Sequence, residues 1–593
     1  MTTTNTSGKI KRSKFPATFY VANTMEMFER LAWYGFFTVA ALYMSSPTSL
    51  GGLNLNDTDR GVLSAVMPFL LYVFPVVTGA IADRVGYRKM LILSFALMTP
   101  AYFMMGQVDN FWSFAFFYFC LAVGAAIFKP LILGTVARVS DDTNRSVGVG
   151  IFYTMVNVGG FVGPIIMGYA QAISWSTVFI ISSLAIAVNF IPVIFMYKEP
   201  VDTKASEQKS IMQVLAGAQE VVGNGRFSLL IFSILVLAII TAGSSMTWMT
   251  YLYITAGLIV FNILWDQLLD KNKQDGPWLT QRMQSGNKAF LCYLLIVAGY
   301  WTTYQQLYYT FPLYMRDFVD TQPVLQFLYS INLGSIADFL SNINIDGLNT
   351  GITEVLRDFA PLINEQNTVQ QAILELSRYQ VQVPAAEVQQ ALTTIAHTDT
   401  AAIKELANTW ATNYKQIASS NYIAIVPLTI LTLQIPASHF IARFNAFSVM
   451  ITGAALTGIS MALWGLVPSA FILAFLVMTF ALGEVLYSAK SQEYIAAIAP
   501  KDKVAVFVAY YFVGIAISML VSGIISGEPY AYISKELGKP ELFWIMIGSI
   551  SVLSSIGLII MNTLVIKKKG SLGESEADEQ QSSAQEQQAT VGA

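Results

Sequence analysis

The chain has 593 residues, 54% of them hydrophobic and only 12% charged, with a formal net charge of −3 at pH 7. Soluble domains carry about 25% charged residues, so this composition excludes an ordinary water-soluble enzyme or binding module, and no basic block resembles a nucleic-acid footprint. Cys120 and Cys292 both fall inside apolar runs and imply neither a disulfide framework nor a metal site.

The excess apolar surface lies in runs long enough to cross a bilayer, which takes about 20 residues each. Candidate spans are roughly 16–44, 60–82, 89–106, 111–138, 146–170, 174–197, 227–244, 247–266, 288–314, 419–441, 446–465, 469–498, 504–526 and 541–566. The segment ahead of them carries Lys9, Lys11, Arg12 and Lys14 and no small-residue cleavage site, so it reads as a cytoplasmic N-terminus and not a signal peptide. Lys and Arg mark the cytoplasmic side. They recur in alternate loops: Arg84, Arg88 and Lys89, then Arg138 and Arg145, then Lys198, Lys204 and Lys209. The loops at 45–59, 106–110 and 171–175 have none. The alternation continues through Lys271, Arg282, Arg443, Lys501 and Lys567–Lys569, which puts both termini in the cytoplasm and makes the span number even.

The chain then divides into a cytoplasmic N-terminus (1–15), a six-helix bundle (16–197), cytoplasmic linkers with an extra two-helix hairpin (198–287), the first helix of a second bundle (288–314), an insert (315–418), the rest of that bundle (419–566) and a tail (567–593) too polar to bury a core. Parity places the insert outside the cytoplasm. It is Gln- and Asn-rich, with amphipathic helices expected around Val369–Tyr379 and Ala385–His397, and is a candidate surface for a protein partner.

A charge at the bilayer centre costs about 2.5–3.5 kcal/mol, so charges inside spans point to function. In the first span Glu26, Glu29 and Arg30 sit at i, i+3 and i+4, on one helical face aimed at a cavity or at the bundle interior. Burial favours the neutral acid and the neighbouring Arg favours the charged one, a balance that a proton-coupled device needs. In the fourth span Lys129 precedes Pro130 and needs an acid or an anionic ligand; Glu26 or Glu29 is the candidate partner, and snorkelling to the interface is the alternative. In the second bundle Glu484 is an isolated acid, so the cavity between the bundles is expected to be dipolar and suited to a zwitterion. Lys490 and Glu493, further along, read as a gate pair or as interfacial charges. Tyr300, Tyr304 and Tyr308 with Trp301 and Gln305 form an aromatic and amide face that reads equally as a wet pathway or an interfacial belt. Tyr153 with Asn157, and Asn421, add polar groups to the fifth and tenth spans. Between spans two and three stands Gly79-Ala-Ile-Ala-Asp83-Arg84-Val-Gly86-Tyr-Arg88-Lys89, in which Asp83 is expected to meet a basic group or a helix N-terminus.

That loop resembles the loop signature of the major facilitator superfamily. Glu26-x-x-Glu29-Arg30-Leu-Ala-Trp-Tyr34-Gly35, Phe128-Lys129-Pro130, Phe152-Tyr153-Thr-Met-Val-Asn157-Val-Gly159, Gly483-Glu484-x-x-Tyr-Ser488 and Ala509-Tyr-Tyr511-Phe512 together resemble the proton-dependent oligopeptide transporter (POT/PTR) family within it. The resemblance covers most of 16–315 and 419–566 and implies two six-helix bundles around a central cavity. It implies di- and tripeptide symport by alternating access, with protons as the coupling ion and no bound cofactor, in a bacterial inner membrane. Carried onto this sequence, Glu26, Glu29 and Arg30 couple protons. Arg30 and Lys129 receive the peptide carboxylate, Glu484 its amino end, and Tyr34, Tyr153, Asn157, Tyr304 and Asn421 assist. Asp83, Arg84, Lys490 and Glu493 take gating or structural roles.

Two positions depart from the family pattern: Phe37 stands where a basic residue is usual, and Gln305 where an acid is usual. They point to a second reading, a carrier of another small organic solute such as an amino acid derivative or a cell-wall peptide. A third is a non-transporting subunit of an envelope assembly that docks through the insert. An enzyme is not expected, because the sequence shows no nucleophile elbow, phosphate loop or metal-ligand spacing.

Overall fold

The computed structural model describes residues 14–141, 143–200, 225–242, 246–269, 281–283, 288–441, 443–467, 469–498 and 504–564. Most of the expected N-terminal segment, the linkers and the polar tail therefore lies outside the described residues. The fold is all-α; among the described residues a single antiparallel bridge, Val381 to Lys415, is the one β feature.

The first bundle comprises α1 (Ala17–Ser45), α2 (Asp57–Val73), α3 (Pro75–Val85), α4 (Tyr87–Met105), α5 (Phe111–Arg138), α6 (Arg145–Ile173), α7 (Trp175–Ala187) and α8 (Phe190–Phe195). The hairpin is α9 (Gly225–Ala242) and α10 (Trp248–Leu268). Then α11 (Lys288–Tyr309) and α12 (Phe311–Phe318) lead into the insert, built of α13 (Gln322–Ser330), α14 (Gly334–Leu340), α15 (Ile345–Phe359), α16 (Thr368–Ser377), α17 (Ala385–Thr394) and α18 (Thr400–Asn413). The second bundle resumes with α19 (Ser419–Ile423), α20 (Ile425–Ile441), α21 (Ala446–Trp464), α22 (Ala470–Ile498) and α23 (Val504–Ser526), and ends with α24 (Pro540–Leu564).

Among the described residues, nine helical segments are long and apolar enough to cross a membrane. The other expected spans are helical at the expected places: α1, which carries the three charges, α2 with α3, α4, α9 and α11. The second span, expected as one helix, is two. Pro75 has no N–H to continue the ladder and instead opens α3 at its first position. At α1 the flanking prolines set the limits, with Pro16 extended at the N-cap and the chain extended again at Ser46 before Pro47.

Helices in lipid gain little from apolar burial against one another and associate through close packing at small residues. Here α1 lies along α6 at three glycines. A Cβ on Gly159 would stand 2.6 Å from the Met27 carbonyl oxygen, and one on Gly163 2.5 Å from that of Leu31. Gly35 faces Gly163 from the other side. Between bundles, α2 meets α23 in the same way: a Cβ on Gly61 would lie 2.7 Å from the Gly523 oxygen.

The loop joining α3 to α4 turns at Gly86, whose φ of 98° suits glycine. Arg138 at the end of α5 donates to Asp83 at 3.0 Å, and the Tyr87 hydroxyl donates to the same oxygen at 3.1 Å. Of the two roles expected for Asp83, it takes the basic partner. The helix N-terminus goes to Glu199, which accepts from the Tyr87 and Arg88 amides at 2.8 and 3.0 Å.

The insert has its own core, in which Leu348, Ile352, Leu376, Val388 and Trp410 are buried together. Its α16 and α17 coincide with the two amphipathic helices read from the sequence. It rests on the α1–α2 loop: Ser49 donates to Glu354 at 3.3 Å, and Arg378 to Asn54 at 3.4 Å.

Candidate functional site

Between the bundles lies a cavity of about 400 Å³, within the usual size range of small-molecule sites. α1, α2, α5 and α6 line it from one side, and α11, α20, α22 and α23 from the other. Of the residues singled out from sequence, Glu26, Arg30, Tyr34, Lys129, Tyr153, Asn157, Tyr304 and Glu484 all face it.

The α1 cluster is arranged by helical pitch. About 100° separates successive residues, so Glu26 and Arg30 nearly superpose while Glu29 is displaced to the flank. Arg30 Nε lies 3.3 Å from Glu26 and donates to Glu29 at 2.5 Å. Glu26 and Arg30 border the cavity; Glu29 does not, being fully buried behind Arg30 with Oε1 lacking any hydrogen-bond partner. Of the two destinations expected for this face, Glu26 and Arg30 take the cavity and Glu29 the bundle interior. Two carboxylates share one guanidinium, and only one of them is open to a ligand.

Lys129 is not paired with Glu26 or Glu29: among the described residues no carboxylate lies within 4.0 Å of its ammonium. Its Nζ instead stands 3.9 Å from the Tyr72 ring centroid and 5.7 Å from that of Phe512. A cation held on aromatic faces keeps its N–H donors for a ligand. Across the cavity, Glu484 Oε2 is buried without a hydrogen-bond partner. Cation and acid thus face one space from opposite bundles.

The aromatic face of α11 is split. Tyr304, Tyr308, Trp301 and Gln305 line the cavity, but Tyr300 is buried away from it, stacked on Tyr487 with centroids 3.6 Å apart. A row at i, i+4, i+8 drifts about 40° per step, so three such residues cannot share a narrow opening. Trp301 Nε1 donates to the Tyr511 hydroxyl at 3.1 Å, which also bonds Ser491 at 2.9 Å, tying α11, α23 and α22 together. Phe37 and Gln305, the two departures, both line the cavity, and Phe37 packs on Tyr308 and Tyr309 at 5.2 and 5.5 Å. A neutral aromatic and an amide thus line the cavity at these two positions.

Asn421 does not reach this cavity. The tenth span is broken into α19 and α20, and Asn421 sits in α19 at the root of the insert, donating to the Leu340 carbonyl at 3.2 Å. Gln434 of α20 supplies the amide from that helix instead. Arg84 is exposed in the last turn of α3 beside Asp83. Lys490 is buried in α22, and the side chain of Glu493 lies outside the described residues. Sequence reasoning missed Tyr72 and Gln434, each a single residue in an apolar run without the charge or spacing that would single it out, and named Phe512 within the Ala509–Phe512 motif without giving it a role.

At the end of the bundles that carries the insert, a buried ionic latch joins α2 to α11 and α23. Arg60 of α2 is fully buried and donates to the Tyr309 carbonyl at 3.2 Å and to the Ser526 carbonyl. Asp57 pairs with Arg60 at 3.1 Å and with Lys535 at 2.9 Å. The burial of Asp57 works against its charge, yet the two cations hold its carboxyl down at about 2.

A family model for the Major Facilitator Superfamily matches residues 24–346 and 400–590. A "Dipeptide and tripeptide permease A" of Pectobacterium carotovorum is 24% identical over 43% of this chain and 55% of its own length. A "Di-/tripeptide transporter" of Lactococcus lactis is 27% identical over 29% of this chain and 35% of its own. The chain thus spans about half the length, or less, of these curated relatives. Among solved structures, a POT family transporter in complex with 5-aminolevulinic acid superposes with a TM-score of 0.59 at 16% identity, covering 92% of this chain and 96% of its own. The fold matches along nearly the whole chain, including the arrangement of helices that forms the cavity.

Proposed function

The chain belongs to the major facilitator superfamily, its relatives there being POT-type carriers, and from that membership we propose that it is a proton-coupled symporter of di- and tripeptides working by alternating access. The observation that carries the reading is the cavity between the bundles, with Lys129 and Arg30 on one bundle and the unpartnered Glu484 oxygen on the other. A short peptide is a zwitterion, with one charged end for each bundle. Its carboxylate would go to Lys129 and Arg30 and its ammonium to Glu484, with Tyr34, Tyr153, Asn157 and Tyr304 around the backbone. Glu26 and Glu29 share Arg30 and would exchange protons as the peptide carboxylate competes for it. In this reading the latch closes the outer end and the carrier is open toward the cytoplasm, with the insert outside and both termini inside. No cofactor enters this scheme. Asp83 and Arg84 would steady the cytoplasmic loop, and Lys490 with Glu493 the inner mouth.

A second reading rests on Phe37 and Gln305, which replace charge by a neutral aromatic and an amide at the closed end of the cavity. They favour a solute with an uncharged or apolar moiety there, such as an amino acid derivative or a cell-wall peptide. Uptake of labelled di- and tripeptides into proteoliposomes decides between the two, measured with and without an inward proton gradient and a negative interior potential. Gradient-dependent accumulation competed by unlabelled peptides supports the first reading. Absence of peptide flux from correctly folded protein overturns it and favours the second.

A further inference from the structure

One part of the insert is apolar on its exposed face. Its α13 and α14 form a short helical hairpin that turns at Asn332, in left-handed conformation with φ 62°. Phe327, Tyr329, Ile331, Leu333, Ile336 and Phe339 of this hairpin are all exposed, at 40–49%. Across 322–340 the sole charged residue is Asp338, and it is occupied by Lys415 at 2.9 Å and by the Tyr329 hydroxyl. The apolar exposure is local: on α17 of the same insert, Gln389 and Gln390 face solvent while Val388 and Leu392 are buried in the insert core. Soluble surfaces rarely carry contiguous apolar patches of this kind without a partner.

The patch is continuous with the membrane-facing surface of both bundles. Phe339 stacks on Tyr169 near the insert-side end of α6, with centroids 4.9 Å apart and planes at 12°. Phe327 meets Phe471 at the insert-side start of α22, edge to face at 5.6 Å. Tyr169 and Phe471 are themselves exposed, as are Ile173 and Phe475 beside them on the same helices. Aromatic residues concentrate at the level of the lipid headgroups, and amphipathic helices lie there with the apolar face sunk about 5–10 Å toward the acyl chains.

We propose that the α13–α14 hairpin is seated in the outer headgroup layer of the bilayer, so that the partner of this face is lipid and the insert is a lipid-anchored cap bridging the two bundles. The test uses the full-length protein in liposomes, with Cys120 and Cys292 replaced by Ala and a nitroxide label placed singly at Ile331→Cys, Ile336→Cys or Gln389→Cys. Collision with oxygen should dominate at 331 and 336, and collision with a water-soluble nickel chelate at 389. Nickel accessibility at 331 and 336 equal to that at 389 overturns the proposal and leaves the patch to a protein partner. Should the cysteine-free background fail to fold, photolabelling of the unmodified protein by a lipid-borne diazirine reads the same contrast. Adducts within 327–339 support the proposal. Adducts at Phe475 with none on the hairpin refute it.

Discussion

Arg30 holds two acids at once, and only Glu26 of the pair borders the cavity. A ligand carboxylate arriving at Arg30 therefore weakens its hold on Glu26 directly and on Glu29 indirectly. Replacing Glu29 by Gln should abolish gradient-driven accumulation while leaving counterflow of peptide partly intact; equal loss of both would mark a structural role. Lys129→Gln should raise the apparent KM for peptides with a free carboxylate by roughly 10–100-fold, the equivalent of one charge-assisted hydrogen bond of about 1.5–3 kcal/mol. C-terminally amidated peptides should be affected far less, and competition assays with both series measure the difference. Asp57 obeys a different sign. Its folded carboxyl titrates at about 2, below the usual 3.8, so its stabilising contribution is present above the ordinary value and is lost as pH falls toward 2. The latch should stay shut from neutral pH to pH 5, and labelling of an outer-mouth cysteine should not change across that range. The charged residues were legible in the sequence because a charge in a span has a cost that demands a reason. Tyr72 and Gln434 were not, because an aromatic or an amide in an apolar run carries no such cost. Asn421 does not line the cavity because it stands in the first turn of its span, at the insert end, where its amide is spent on the Leu340 carbonyl.

At the scale of helices, glycine sets how closely the bundles approach. Gly523 of α23 has no room for a Cβ, which would lie 2.4 Å from the Ala65 amide nitrogen. Gly523→Val should separate α2 from α23, raise cysteine labelling at the outer mouth and bias the carrier outward. Unchanged labelling with retained uptake would show that the contact yields without consequence. Glu199 caps α4 through two backbone amides. Carboxylates at helix N-termini contribute about 0.3–1 kcal/mol, so Glu199→Gln should lower the thermal midpoint slightly and leave peptide KM unchanged. Apolar runs and alternating positive loops place nearly every helix from sequence. The break at Pro75 was missed because internal prolines are ordinary in membrane helices, as Pro68, Pro100, Pro130 and Pro164 show here. Only the missing N–H at a bend distinguishes the case.

For the whole molecule, the insert is a folded cap with its own core, which the sequence announced through composition and two amphipathic segments. Its seating on the α1–α2 loop and the lipid-facing hairpin were not legible, because contacts between segments hundreds of residues apart leave no local pattern. Linking the cap to the first bundle should stop turnover. Cysteines at Ser49 and Glu354, whose side chains now meet at 3.3 Å, joined by a short thiol-reactive linker, should block uptake, while either single variant keeps it. Uptake that persists in the linked pair would mean the cap travels with the first bundle throughout the cycle.

The buried Arg60 latch has a kinetic meaning. A carrier bolted at one end must break those bonds on the return leg when nothing is bound, whereas a loaded carrier has ligand contacts to offset them. Under the proposed alternating-access cycle, empty reorientation is then the slow step, and peptide supplied on the far side should accelerate entry of labelled peptide. Such trans-stimulation would make the protein a faster exchanger than a net importer.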